Sequence, residues 1–152
     1  MQGEPIQISD AKLYVEYNST DEDLGVHGYL GDTGWSELCI YNPSGELTLA
    51  IKPQAQLKDV TMASIFFEGR EPSIQEFSFE DLKSFPEGQY AVRALSYDGT
   101  SLVGEATFSR NVPAPPTLVY PEMVDEDEAV GVILPTDGLV IQWEDVTETT
   151  DG

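Results

Sequence analysis

Three residues with hard oxygen donors, Asn18, Asp21 and Asp23, stand at short spacing ahead of a glycine in Asn18-Ser19-Thr20-Asp21-Glu22-Asp23-Leu24-Gly25. A loop of this kind can wrap Ca²⁺ with side-chain and backbone oxygens. Asp32, in Gly31-Asp32-Thr33-Gly34, is a candidate added ligand if that turn folds nearby. The full EF-hand pattern is incomplete, because its closing bidentate Glu is missing. The same residues also suit an ordinary turn between strands, since Asn and Asp bond their own backbone. Both readings stand at this level.

The remaining chemistry-bearing residues are sparse. Asp125-Glu126-Asp127-Glu128 reads as a solvated acidic loop or a second cation site. His27 is the sole histidine, so a Ser-His-Asp or Cys-His arrangement must be built on it, and no nucleophile-elbow signature is present. Alternation beside Gly28 puts His27 on the polar face of a strand. Asp32-Thr33-Gly34 matches the aspartic-protease triplet but occurs once, in a short turn. Tyr29, Trp35, Tyr41 and Tyr120 could stack on pyranose rings or pack in a core or rim. No Gly-rich phosphate loop, zinc-spaced Cys/His set or basic-aromatic strip occurs. No catalytic residue is expected, and no cofactor beyond Ca²⁺.

Charge narrows the partners. The 152 residues carry a net charge of −21, from 28 acids and 7 bases. Every Lys and Arg lies at or before Arg110, so residues 1–110 hold 18 acids and 7 bases, and residues 111–152 hold 10 acids and no base. Such a field repels phosphate backbones and anionic lipid, so nucleic acid is an unpromising partner. It attracts divalent cations, and it also serves solubility in salty or extracellular surroundings. No apolar run approaches the length of a membrane span, so membrane insertion is not expected. Met1-Gln2-Gly3-Glu4-Pro5 is not a signal peptide. A secreted or cell-surface location is expected, with the leader outside this sequence. Cys39 cannot form an intramolecular disulfide, and in Leu38-Cys39-Ile40 it reads as a small buried hydrophobe.

The elements that must position these residues are strands. Short apolar or alternating runs recur between turn residues, the pattern of antiparallel sheets packed as a sandwich. Lys12–Tyr17, Gly25–Leu30, Trp35–Tyr41, Glu46–Ile51 and Met62–Phe67 read as strands, the third and fourth joined by an Asn42-Pro43-Ser44-Gly45 turn. Ser78–Phe85 is the one helical piece, with Ser78 as cap, Glu80 and Asp81 in the first turn and Pro86 as stop. Gln89–Ser96 and Ser101–Phe108 form a second hairpin around Asp98-Gly99, with Tyr90, Val92 and Ala94 facing the core. A sandwich domain over residues 8–110 is therefore expected, followed by a proline-rich linker over 111–116 and a tail over 117–152. The tail, with strands at Thr117–Pro121 and Leu139–Val146, is too short to bury a core unaided.

Pro86-Glu87-Gly88-Gln89-Tyr90-Ala91-Val92-Arg93-Ala94, followed by Asp98-Gly99, resembles the last two strands of bacterial immunoglobulin-like and fibronectin type III-like domains. That resemblance implies that the Tyr90 hydroxyl anchors a corner of the fold. Residues 115–146, with Leu139-x-Ile141-x-Trp143, resemble the start of a fibronectin type III domain, which implies a core position for Trp143. The first 110 residues also resemble an uncharacterised group of bacterial secreted proteins that carry the segment from Asn18 to Gly25. The expected fold is thus an all-β, immunoglobulin-like antiparallel β-sandwich with one short helix and a partial fibronectin type III-like segment.

The expected function is a non-catalytic extracellular module, a spacer, adhesion or assembly unit of a bacterial surface or secreted protein. Its partners would be other domains of a longer chain or other protein subunits. The alternative is a calcium-supported carbohydrate-binding module of a larger secreted enzyme, with a polysaccharide as partner.

Overall fold

The computed structural model describes residues 4–122, 138 and 140–150, without the side chains of Asp32 and Thr33. The chain divides into two compact units, Met1–Arg110 and Asn111–Gly152. The first is built on one curled sheet of seven strands: β1 (Ile6–Gln7), β2 (Asp10–Asn18), β3 (Asp23–Tyr41), β4 (Leu47–Ile51), β5 (Met62–Glu68), β6 (Gly88–Ser96) and β7 (Ser101–Phe108). Two short helices, α1 (Ala55–Val60) and α2 (Phe79–Leu82), flank β5 in the chain. No helix among the described residues is long and apolar enough to cross a membrane.

β3 organises the sheet. Gly25–Leu30 and Trp35–Tyr41, expected as separate strands around a turn, run on as one strand of 19 residues. Its first part pairs with β2 and β5, and its second with β4 and β6. The pairing with β5 shifts register between Gly31 and Trp35. Gly34 there adopts φ +142°, a conformation that lacks a steric penalty only for glycine. The chain therefore changes neighbours without reversing direction.

The antiparallel expectation is corrected by β1, which pairs in parallel with β7 through Ile6↔Leu102 and Gln7↔Val103. The sheet is mixed, in the order β1-β7-β6-β3-β2, with β4 and β5 also on β3. It curls so that β2 lies against β7.

Period-two alternation decides what the sheet buries. Tyr90, Val92 and Ala94 of β6 point inward, as do Leu102, Ala106 and Phe108 of β7, and all are buried. Leu24, Leu30, Trp35, Leu38 and Ile40 of β3 and Leu82 of α2 join the cluster, and Leu13, Val15 and Tyr17 of β2 pack on it. Each fully buried Leu, Val or Phe stabilises the fold by roughly 1.5–3 kcal/mol. Cys39 stands between two inward residues and so faces outward, half-buried rather than in the core.

Local chemistry sets the turns. Asn42 Oδ1 accepts backbone bonds from Ser44 at 3.0 Å and Glu46 at 2.9 Å, closing the β3–β4 hairpin. The Thr100 N–H donates to Ser96 Oγ and Asp98 Oδ1, both at 3.0 Å, closing β6–β7. At α2, Ser78 Oγ accepts from the Asp81 N–H at 3.3 Å while Asp81 Oδ2 accepts from the Ser78 N–H at 2.9 Å. This reciprocal pair satisfies two otherwise orphaned donors. α1 is a second helix where one was expected. It buries no residue, with Leu57 and Val60 exposed, so it leaves no apolar stripe in the sequence.

The second unit contains an antiparallel pair, β8 (Leu118–Tyr120) and β9 (Gln142–Trp143), in which Leu118 faces Trp143. Pro113 bridges Thr149, the Ala114 N–H donates to the Glu148 carbonyl and the Thr150 N–H to the Val112 carbonyl, both at 2.9 Å. The proline-rich run 111–116 is thus bonded into this unit. Trp143 is 59% exposed, which corrects its expected core position. Asp125–Glu128 and Leu139 lie outside the described residues.

Candidate functional site

Asn18 ends β2, Asp23 begins β3, and the two face each other in the ladder. Between them Asn18 Oδ1 accepts from the N–H groups of Thr20 at 3.1 Å and Asp21 at 3.3 Å. Asn18 Nδ2 donates to Asp21 Oδ2 at 2.7 Å. The loop closes on itself as an Asx turn, and the Asn18 oxygen already serves the backbone. Asp23 has its carboxyl pushed above the usual value, first by desolvation and then by Glu71, Asp21 and Glu16. The structure therefore gathers Asn18, Asp21 and Asp23 in one loop, while the Asp32 side chain lies outside the described residues. Among the described residues, no three His, Cys, Asp or Glu side chains are placed to hold a metal.

A second constellation centres on His27, which is 3% exposed rather than solvated. Nε2 lies 2.9 Å from Glu71 Oε1, and Nδ1 lies 3.6 Å from Glu16 Oε2. Glu16 comes from β2. Glu71 comes from the segment after β5, which is tied to the start of β3 by the Leu24 N–H to the Pro72 carbonyl at 3.1 Å and the Ile74 N–H to the Glu22 carbonyl at 2.8 Å. Gly25 makes the arrangement possible: a Cβ there would stand 2.8 Å from His27 Nε2 and 2.9 Å from Glu71 Cγ. A neutral imidazole donates from one nitrogen, whereas the protonated ring donates from both. Among the described residues, the ion pairs of His27 are with carboxylates. Its covers are Tyr14, at 5.5 Å between ring centroids, and Phe66, at 5.8 Å.

The four aromatics singled out in the sequence do not form one platform. Trp35 is in the core at 1% exposure. Tyr41 is half-buried at the far end of β3, and Tyr120 belongs to the second unit. Tyr29 shares a sheet face with His27. Tyr14 and Phe66, also on that face, were not anticipated, because only the register Tyr14↔His27 and Tyr29↔Phe66 reveals their common side. In the sequence, Tyr14 fell on the polar side of an alternating strand, and that was the available signal. Elsewhere, an open groove of about 630 Å³ beside β7 is lined by Asp10, Arg93 and Glu105 among others.

In the second unit, β8–β9 leaves Val119, Tyr120, Ile141 and Trp143 between 45% and 59% exposed. Comparison with protein-family models, with curated proteins and with solved structures finds no match.

Proposed function

We propose that the chain is a non-catalytic module of a secreted or cell-surface protein that assembles with another copy through its second unit. The observation that carries this reading is the exposed apolar surface of β8–β9. The two strands described, β8 and β9, cannot bury a core between them, so Val119, Tyr120, Ile141 and Trp143 favour completion of the sheet by strands of a neighbouring molecule. The acid-rich composition suits a salt-rich extracellular setting. The Tyr90 hydroxyl bond to the Pro86 carbonyl supports the immunoglobulin-like part of the resemblance. The proline-led β8 supports the fibronectin type III-like part, with Trp143 reaching a core only in the assembled state.

Residues 111–152 carry ten acids and no base, so copies repel each other at low salt. At about 1 M salt the repulsion reaches only roughly 3 Å, and association should rise. Light scattering on the full chain across concentration and salt is expected to give a mass above the 16.7 kDa monomer. Val119→Asp with Trp143→Asp should restore the monomer. A monomer under every condition would count against the reading.

A further inference from the structure

The β2–β3–β5 part of the sheet has one face on the core and one turned away. Val15, Val26, Leu30 and Phe67 take the inner face or its edge. Tyr14, His27, Tyr29 and Phe66 take the outer one, since Tyr14 opposes His27, Tyr29 opposes Phe66, and His27 and Tyr29 are two residues apart. Four rings thus stand on neighbouring rows of three strands.

Their packing leaves aromatic surface facing out. Tyr14 is 39% exposed and Phe66 53%. Tyr29 lies along its strand over Gly31, where a Cβ would come within 3.0 Å of the Tyr29 hydroxyl. His27 fills the space between Tyr14 and Phe66; its Nε2 bonds Glu71 Oε1 at 2.9 Å, and Glu16 Oε2 lies 3.6 Å from its Nδ1. The rings are therefore bordered by the Glu71 carboxylate, bonded to the buried His27 ring, and by the more exposed Glu16 carboxylate beside it.

We propose that this face binds a neutral polysaccharide, with pyranose rings stacked on Tyr14 and Phe66 and sugar hydroxyls donating to Glu16 and Glu71. The C–H faces of a pyranose match the negative faces of aromatic rings, and carboxylates are strong acceptors for O–H donors. Charge argues against anionic ligands. Lys12, the base nearest the rings, is bonded to Asp10 at 3.3 Å and sits 5.9 Å from the Tyr29 centroid. Arg70 is bonded to Glu76 at 2.7 Å. A uronate or phosphate would thus meet Glu16 and Glu71, and the base nearest the rings, Lys12, already has a carboxylate partner in Asp10.

Affinity electrophoresis of the full chain in gels containing a soluble β-glucan, xylan or mannan tests this. At least one of these neutral polymers should retard the wild type. Tyr14→Ala and Phe66→Ala should each weaken that retardation about tenfold, the equivalent of roughly 1.4 kcal/mol. Glu71→Gln should weaken it with no loss of ring surface. Tyr97→Ala, at a side chain 74% exposed in the β6–β7 hairpin, should leave it unchanged. Near-ultraviolet circular dichroism checks that each variant folds, and Phe66→Ala, at the more exposed ring, keeps the test valid if Tyr14→Ala does not. Retardation by none of the neutral polymers overturns the proposal. So does equal retardation of the wild type and Phe66→Ala, or retardation by cationic chitosan alone, which bulk negative charge explains.

Discussion

The Tyr90 hydroxyl donates a 2.9 Å hydrogen bond to the Pro86 carbonyl, four residues upstream. The ring itself is 1% exposed and meets Phe108 edge-on at 5.8 Å between centroids. One side chain therefore fills the core and also ties down the approach to β6.

Tyr90→Phe keeps the packing and deletes the tether. It should destabilise the fold by about 1 kcal/mol, the usual net worth of one such bond. Urea denaturation measures this, and an unchanged midpoint with an unchanged slope would show that the bond is idle.

Gly25→Ala should cost about 1–3 kcal/mol, as overpacking does. The added methyl would stand 2.8 Å from His27 Nε2, so the His27–Glu71 contact must open. The same denaturation series, read beside the ¹⁵N signals of the His27 ring, checks both parts. Wild-type ring signals in the variant would refute the account of Gly25.

Acid should remove a specific part of the stability. Asp81 is held below the usual carboxylate range by the Ser78 backbone N–H and then its hydroxyl, and Glu87 by the Arg110 backbone N–H and then its guanidinium. Asp98 is held low by the Ser96 hydroxyl and then the Thr100 N–H. Groups depressed in the folded state contribute stability that is complete above their unfolded values, near 4, and lost as pH falls through the folded values. Relief of the excess negative charge works in the opposite direction, so the decisive measurement is a difference. Asp81→Asn should be less stable than the wild type at pH 7, with the gap closing below about pH 4. A gap that stays constant with pH would exclude the ionised cap as its source.

Asp23 has the reverse sign. Its raised folded value means that ionisation costs stability, a cost absent below the unfolded value and accumulating as pH rises through the folded one. Asp23→Asn should therefore melt higher than the wild type at pH 7 and equally at low pH. Because Asn18 is engaged by the loop backbone, wild-type melting temperatures in millimolar Ca²⁺ and in EDTA should coincide. A rise in Ca²⁺ that disappears in Asp21→Ala with Asp23→Ala would instead establish a calcium loop.

What could be read from the sequence follows the range of each interaction. The Asn42–Gly45 and Asp98–Gly99 turns, the Ser78 cap and the inward set Tyr90, Val92 and Ala94 are decided by residues within a few positions of each other. The parallel β1–β7 pair and the union of two expected strands into β3 depend on partners far along the chain, and no turn marks them. The same holds for the site. The Asn18–Asp23 loop was legible as a turn, whereas His27 meets a Glu71 that lies 44 residues away. Trp143 was misplaced because the two strands described there, β8 and β9, leave it 59% exposed.

The parallel partnership of β1 with β7 has a mechanical consequence. The first unit is entered through Ile6 and left through Phe108, at opposite ends of adjacent parallel strands. Tension on its two ends draws these strands past each other, so their hydrogen bonds, with the Ile8 N–H to Val103 carbonyl bond at 2.7 Å, are loaded together rather than peeled in turn. A body joined in this way resists stretching as a clasp in shear.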